Sequence, residues 1–220
     1  MPRVATYNIR HCRGLDGAID IDRIARTIVA TGAGFIALQE VDRNLPRSGN
    51  VDQPYLLSAA TGLEFVFWPT LRRGGGEYGV AVAAADPLET KYHPLPGHYD
   101  EEARAAIVAR WAGITIVAVH LAQQKPARGP QIAAVARLAA KLPWPVVVLG
   151  DLNAPRRELR PLIHAGFDPG PRVRSRPGRG RPQIDYVLTG PSLSTARLWT
   201  VPADGSDHLP IVAELAPAGT

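Results

Sequence analysis

Apolar positions along the chain fall into short runs separated by polar, glycine-rich and proline-rich joints, and the runs are of two kinds. Some are continuous or alternate over the length of a strand: Val4–Ile9, Phe35–Leu38, Glu64–Trp68, Tyr78–Ala84, Ala105–Trp111, Ile114–Val119, Val146–Leu149, Ile184–Leu188, Ala196–Val201 and Ile211–Leu215. These predict strands with one or both faces buried. Others repeat at helical spacing. Ile21, Ile24, Ala25, Ile28 and Val29 follow a capping Asp20 and stop at Thr31-Gly32. Ile132, Val135, Ala136, Ala139 and Leu142 follow Pro130, which is read as a helix start because its missing N–H costs nothing there. Shorter helices are expected over Tyr55–Thr61 and Arg156–Ala165.

The joints carry the remaining information. Ala112-Gly113 reads as a hairpin turn, Asp42–Pro54 as a polar loop, and Arg72-Arg73-Gly74-Gly75-Gly76 as a mobile basic turn. Three prolines in Pro87–Asp100 exclude a central strand from that loop. Arg172, Arg174, Arg176, Arg179 and Arg181 alternate with glycine and proline before residue 182, as in a solvated connection. There is no internal repeat and no linker, so the 220 residues are expected to form one α/β domain, 1–220.

Composition narrows the partner. Hydrophobic residues make up 45% and charged residues 20%, and no run approaches the roughly 18 apolar residues of a membrane span. The formal charge is +5, and 22 of the 25 basic residues are arginine. That bias suits fork-like pairing with an anion, phosphate above all. A single cysteine, Cys12, gives neither a disulfide framework nor a zinc cage. The N-terminus lacks a charged segment followed by a long apolar one, which leads us to expect a cytoplasmic protein. A monomer is the default state.

Strand after strand ends on a residue able to bind metal or move a proton: Asn8, Glu40, His120, Asp151 with Asn153, Asp185, and Asp207 with His208. In an α/β sheet such exits gather on one rim. The stretch Val146–Ala154 is the clearest case, a buried strand that stops at Gly150 and delivers an acid and an amide two residues apart. Asp151 can ligate a metal or take a proton from water, and Asn153 can hold an oxygen without adding charge. The same two residues could equally form an Asx turn that caps backbone.

Taken together, Thr6-Tyr7-Asn8-Ile9, Leu38-Gln39-Glu40-Val41, Val119-His120-Leu121, Gly150-Asp151-Leu152-Asn153-Ala154, Gln183-Ile184-Asp185-Tyr186 and Ser206-Asp207-His208-Leu209-Pro210 resemble, in order, the endonuclease/exonuclease/phosphatase superfamily. The resemblance implies a four-layer α/β sandwich, two mostly antiparallel sheets face to face and flanked by helices, as in deoxyribonuclease I. It also implies hydrolysis of a phosphoester by metal-activated water. On that reading Glu40 is the principal ligand for Mg²⁺, or Mn²⁺ in its place, with Asn8 and Asp207 completing the environment. Asp151 is the base or orienter of the attacking water and Asn153 its companion. Asp185 and His208 form a second proton-handling couple, and His120 donates to a nonbridging phosphate oxygen. Arg43, Arg47 and Arg104 are candidate substrate contacts.

The favoured substrate is a small or lipid-derived phosphoester, because the few aromatic residues do not interleave with basic ones as in nucleic-acid grooves. A nuclease acting on DNA or RNA is the close alternative, given the basic pI near 9.7. A non-catalytic phosphate-binding module on the same fold would show loss of Glu40, Asp151 or His208, and all three are present.

Overall fold

The central strands are apolar on both faces, and the fold covers both. The computed structural model describes residues 1–97, 102–178 and 180–219, so His98, Glu101 and Arg179 lie outside the described residues. In chain order the elements are β1 (Arg3–Asn8), α1 (Ile21–Thr31), β2 (Phe35–Arg43), α2 (Gln53–Thr61), β3 (Glu64–Arg73), β4 (Gly76–Ala84), β5 (Thr90–Pro94), β6 (Ala105–Trp111), β7 (Ile114–His120), α3 (Lys125–Ala139), β8 (Val146–Asp151), α4 (Arg160–His164), β9 (Asp185–Thr189), β10 (Leu193–Thr200) and β11 (Ile211–Pro217). One sheet has the order β10-β11-β1-β2-β4-β3 and the other β5-β6-β7-β8-β9. Each is antiparallel except for one central pair, β1 with β2 and β7 with β8.

Alternation along the strands sorts the side chains into three apolar layers. Phe35, Ala37, Val82, Ile107, Ile116, Val147 and Leu149 meet between the two sheets. Ile36 and Leu38 turn the other way onto Ile24 and Ile28 of α1, while Val117, Val119 and Val148 pack on Ile132 and Val135 of α3. This is the expected four-layer sandwich of helix, sheet, sheet and helix. Among the described residues no helix is long and apolar enough to cross a membrane.

Several boundaries differ from the sequence reading. Helix α3 begins at Lys125, with Pro126 in its first turn, so Pro130 lies inside it and removes one backbone hydrogen bond rather than starting the helix. Leu142 falls beyond the helix, although it still packs on that layer. Val29 is 61% exposed, so the apolar part of the buried stripe of α1 ends at Ile28, and buried Thr31 completes the face. The basic turn shrinks to Gly74-Gly75, whose φ values of 56° and 79° make a two-residue hairpin joining Arg73 to Gly76. Strand β5 occupies part of the proline-containing loop, at a sheet edge where its prolines break no ladder.

Candidate active site

The site is built from two rows of side chains, one from each sheet. In the five-stranded sheet, His120 pairs in register with Asp151 and Asp151 with Asp185, so three functional groups stand side by side on β7, β8 and β9. Asp185 is the first residue of its strand, not the last. It reaches the same rim because β9 runs antiparallel to β8. Gly150 makes the row possible: a Cβ there would lie 1.9 Å from the Val119 carbonyl oxygen, and its φ of 146° disfavours other residues.

In the six-stranded sheet Asn8 is the register partner of Gln39. Glu40 sits in a bulge where the β2–β4 register shifts between Leu38 and Val41, with φ of 58°. Such a bulge re-aims a side chain at a functional edge. Here it brings Glu40 Oε1 to 2.9 Å from Asn8 Nδ2. The same amide nitrogen donates across the sandwich to Asp151 Oδ2 at 3.0 Å. Arg10, His11, Cys12 and Asn153 also adopt left-handed backbone, so local strain collects along this edge.

Asp151 is nearly inaccessible, and burial followed by the nearby Asp185 charge raises its pKa to about 7. The Asn153 backbone N–H donates to its Oδ1 at 2.9 Å, which is the Asx-turn arrangement; the Asn153 side chain donates to the Leu121 carbonyl at 2.9 Å. Asp151 therefore caps backbone and faces the cleft at once, and the two sequence readings prove compatible.

Two histidines flank it. His208 Nε2 is 3.9 Å and His120 Nε2 3.8 Å from Asp151 Oδ2. His208 Nδ1 lies 3.0 Å from each carboxylate oxygen of Asp185. Burial lowers its pKa, but the charge and hydrogen bond of Asp185 outweigh this and carry it up to about 9, so the ring is a cation at neutral pH. His120 Nδ1 is 2.8 Å from Arg104 Nη1, and Arg104 Nη2 donates to Glu102 Oε2 at 3.0 Å. A guanidinium only donates, so Nδ1 accepts and the ring proton resides on Nε2. Burial first, then Arg104 and His208, hold His120 well below its usual pKa. Its Nε2 is buried with no protein partner, a donor left for something in the cleft.

Asp207 lies at the rim, 3.8 Å from Arg10 Nε and 3.4 Å from Arg176 Nη2. Arg43 is paired with Glu77, and Arg47 makes a two-pronged bond to buried Asp42 at 2.9 and 2.7 Å. All three thus have carboxylate partners within the fold, Arg104 in Glu102, but only Arg104 also bonds a site histidine, His120. Sequence reasoning missed two supports. Ser206 donates to the Asn8 carbonyl at 2.7 Å and accepts from the His208 N–H at 3.2 Å. Ser175 accepts from the Ile184 N–H at 3.2 Å, and its carbonyl accepts from Leu209 at 2.8 Å, tying β9 to the His208 loop. Ser206 stands within the quoted Ser-Asp-His-Leu-Pro segment and was accessible there; nothing local marks Ser175.

The donor set suits a hard cation. Asp151, Asp185 and His208 bring ligating atoms within 4.8 Å of one another, a group able to hold a metal ion. Glu40 and Asp151 add a second convergence of carboxylates on Asn8. Oxygen ligands from carboxylate and amide favour Mg²⁺ or Mn²⁺ over softer metals.

Residues 5–208, which include every group described above from Asn8 to His208, match the model of the Endonuclease/Exonuclease/phosphatase family. The chain superposes on an endonuclease/exonuclease/phosphatase from Beutenbergia cavernae DSM 12333 with a TM-score of 0.80 and 24% identity, covering 99% of this chain and 72% of that one. It superposes on an AP endonuclease from Archaeoglobus fulgidus with a TM-score of 0.70, 18% identity and coverage of 97% and 99%. For a mannosyl-6-phosphatase from Bacteroides thetaiotaomicron VPI-5482 the values are 0.71, 17%, 98% and 100%. No curated protein matches in sequence. The structural likenesses establish the fold, and the family match spans both sheets and the edge where they meet: the chain belongs to the endonuclease/exonuclease/phosphatase family.

Proposed function

We propose that the protein is a Mg²⁺-dependent phosphoesterase that cleaves a P–O bond by attack of water, on a small or lipid-derived phosphoester. The observation that carries this reading is the contact of the two rows through Asn8, which sets Glu40, Asp151 and both histidines around one point of the cleft. Glu40, with Asn8 and Asp207, would hold the cation. Asp151, Asp185 and His208 serve as a proton-handling group, because the Asp185 carboxylate engages His208 Nδ1 at 3.0 Å and leaves Nε2 facing Asp151.

A bound divalent cation supplies charge neutralisation at the phosphoryl oxygens. Asp151 accepts the proton of the attacking water, for which a carboxylate with its pKa raised to about 7 is a stronger base than an ordinary one. Asn153 holds that water or a phosphoryl oxygen. His120 Nε2–H and His208 Nε2–H, on either side of Asp151, donate to the oxygens where charge builds. Asp185 and Arg104 hold the two rings in the orientations this requires. Arg43 and Arg47, backed by Glu77 and Asp42, would act only as rim cations.

The fold is shared about equally with an AP endonuclease and a mannosyl-6-phosphatase, so substrate choice rests on the loops. One feature favours the nuclease alternative, a cleft rich in arginine beside Asn153. Hydrolysis of bis-p-nitrophenyl phosphate with Mg²⁺, with EDTA, and by Asp151→Asn tests the central reading. Wild type should turn over only with the metal, and the variant should lose at least about a hundredfold in kcat. Folded protein inactive with every divalent metal would remove the hydrolase assignment.

A further inference from the structure

Most arginines around the active edge have a carboxylate to answer them: Arg43 and Arg72 share Glu77, Arg47 has Asp42, Arg104 has Glu102, and Arg128 has Glu158. One group does not. Arg156, Arg157, Arg172 and Arg181 line a cleft of about 410 Å³ whose other walls are Pro155, Val173, Pro182, Gln183 and Tyr186, and no acidic side chain lines it. None of the four arginines forms an ion pair among the described residues.

The cleft is built into the edge of the site. Its lining includes Pro155, two residues after Asn153, and Gln183, whose Nε2 donates to the Asp185 backbone carbonyl at 3.0 Å. Arg156 is fastened by a bond from Nη1 to the Gly170 carbonyl at 2.6 Å, and the Tyr186 hydroxyl donates to the Gln183 carbonyl at 2.8 Å. Four guanidinium groups facing one space repel one another, and an arrangement of that kind is relieved by an anion. The half-apolar lining from proline, valine and tyrosine suits an organic group attached to that anion rather than a bare ion.

We propose that this cleft binds a second phosphate of the substrate, carried on an organic group next to the phosphate being hydrolysed. The inference rests on the phosphoesterase reading and narrows it to compounds with at least two phosphates in reach of each other, as in an oligonucleotide or a multiply phosphorylated polyol. Arg157, Arg172 and Arg181 supply exposed charges, and Arg156, tied to Gly170, a half-buried one.

Binding measured in EDTA separates this from catalysis. The intact protein is titrated with fluorescent pentathymidylate and, in a second arm, with inositol hexakisphosphate. The same titrations are done on Arg157→Gln/Arg172→Gln/Arg181→Gln and on a control with equal charge removed from α1, α3 and the turn after α3, Arg26→Gln/Arg137→Gln/Lys141→Gln. Thermal melting checks that each variant is folded. At least one probe should bind wild type and the control within about twofold of each other, and the cleft variant at least tenfold more weakly. The slope of log Kd on log salt should fall by about two in the cleft variant alone. The arm that responds identifies the source of the second phosphate. Equal weakening in cleft variant and control would leave only net charge, and absence of binding or an unaffected cleft variant would likewise overturn the site. Failure of bis-p-nitrophenyl phosphate hydrolysis with the binding result intact would instead remove the phosphoesterase reading.

Discussion

His120 and His208 approach Asp151 from opposite sides at nearly the same distance, 3.8 and 3.9 Å, yet their second nitrogens face opposite charges. His208 leans on the Asp185 carboxylate and is held as a cation. His120 leans on the Arg104 guanidinium and is held neutral, with its one proton aimed into the cleft. Both rings are buried, and burial alone would neutralise both. The partner behind each ring therefore decides its charge, and the outer contacts divide one pair of like side chains into an acid and a neutral donor.

The largest effect should come from breaking the charged side. Asp185→Asn removes the largest charge that opposes burial, leaving Asp151 and Asp207, so the His208 pKa should fall well below about 9, read by NMR titration in EDTA. At neutral pH the ring then holds its proton less tightly, and kcat should drop by about 10²–10³-fold, the usual worth of an electrostatic donor at a transition state. His208→Gln should match it. An unmoved His208 pKa in Asp185→Asn would refute the division of roles.

A smaller effect is expected on the neutral side. Arg104→Met leaves His120 Nδ1 with no donor, so the ring can carry its proton on either nitrogen. We expect kcat to fall about tenfold with little change in KM, and Arg104→Lys, which keeps a donor, to recover part of the loss. A loss confined to KM would make Arg104 a substrate contact instead, as the sequence alone suggested.

The difference between the two rings also shows what the sequence reveals. Each site residue taken from the motifs stands at a strand terminus, in a bulge or in a tight loop, positions where a polar residue interrupts an apolar run. His120, Asp151 and Asp185 form one row, but this follows from strand register across residues more than 30 apart, which periodicity does not encode. The left-handed backbone at Glu40 leaves no mark in Leu38-Gln39-Glu40-Val41. Arg43 and Arg47 read in the sequence as candidate substrate contacts, and their pairing with Glu77 and Asp42 is set by the fold, Glu77 lying on a different strand. The described residues of the Arg172–Pro182 segment are largely exposed, as its composition suggests, but that Arg172 and Arg181 share a cleft with Arg156 and Arg157 depends on another loop and is not legible in the segment itself. Helix α3 was misplaced because Pro130 resembles a helix start, while Pro126 is the one that occupies the first turn.

A separate effect should appear in stability rather than in turnover, with opposite signs for the two rings. Native His208 titrates at about 9 against 6.5 for a free imidazole, so the folded state holds that proton more tightly. Its contribution, roughly 3 kcal/mol, is complete below about pH 6.5 and is lost as the pH rises through 9. His120 behaves inversely. Its native pKa is lowered, so the unfolded chain binds a proton that the folded one refuses, and stability is lost as pH falls below about 6.5. Urea unfolding of the metal-free protein in EDTA, compared with His208→Gln and His120→Gln from pH 5 to 10, reads each ring, together with its coupling to Asp151, as a difference in which titrating groups remote from the site cancel. The advantage of wild type over His208→Gln should narrow between pH 7 and 10. Relative to His120→Gln, wild type should weaken between pH 6.5 and 5. If both differences ran parallel across that range, Asp185 and Arg104 would not be setting the charges of the two rings, and the asymmetry around Asp151 would have no cause in the outer contacts.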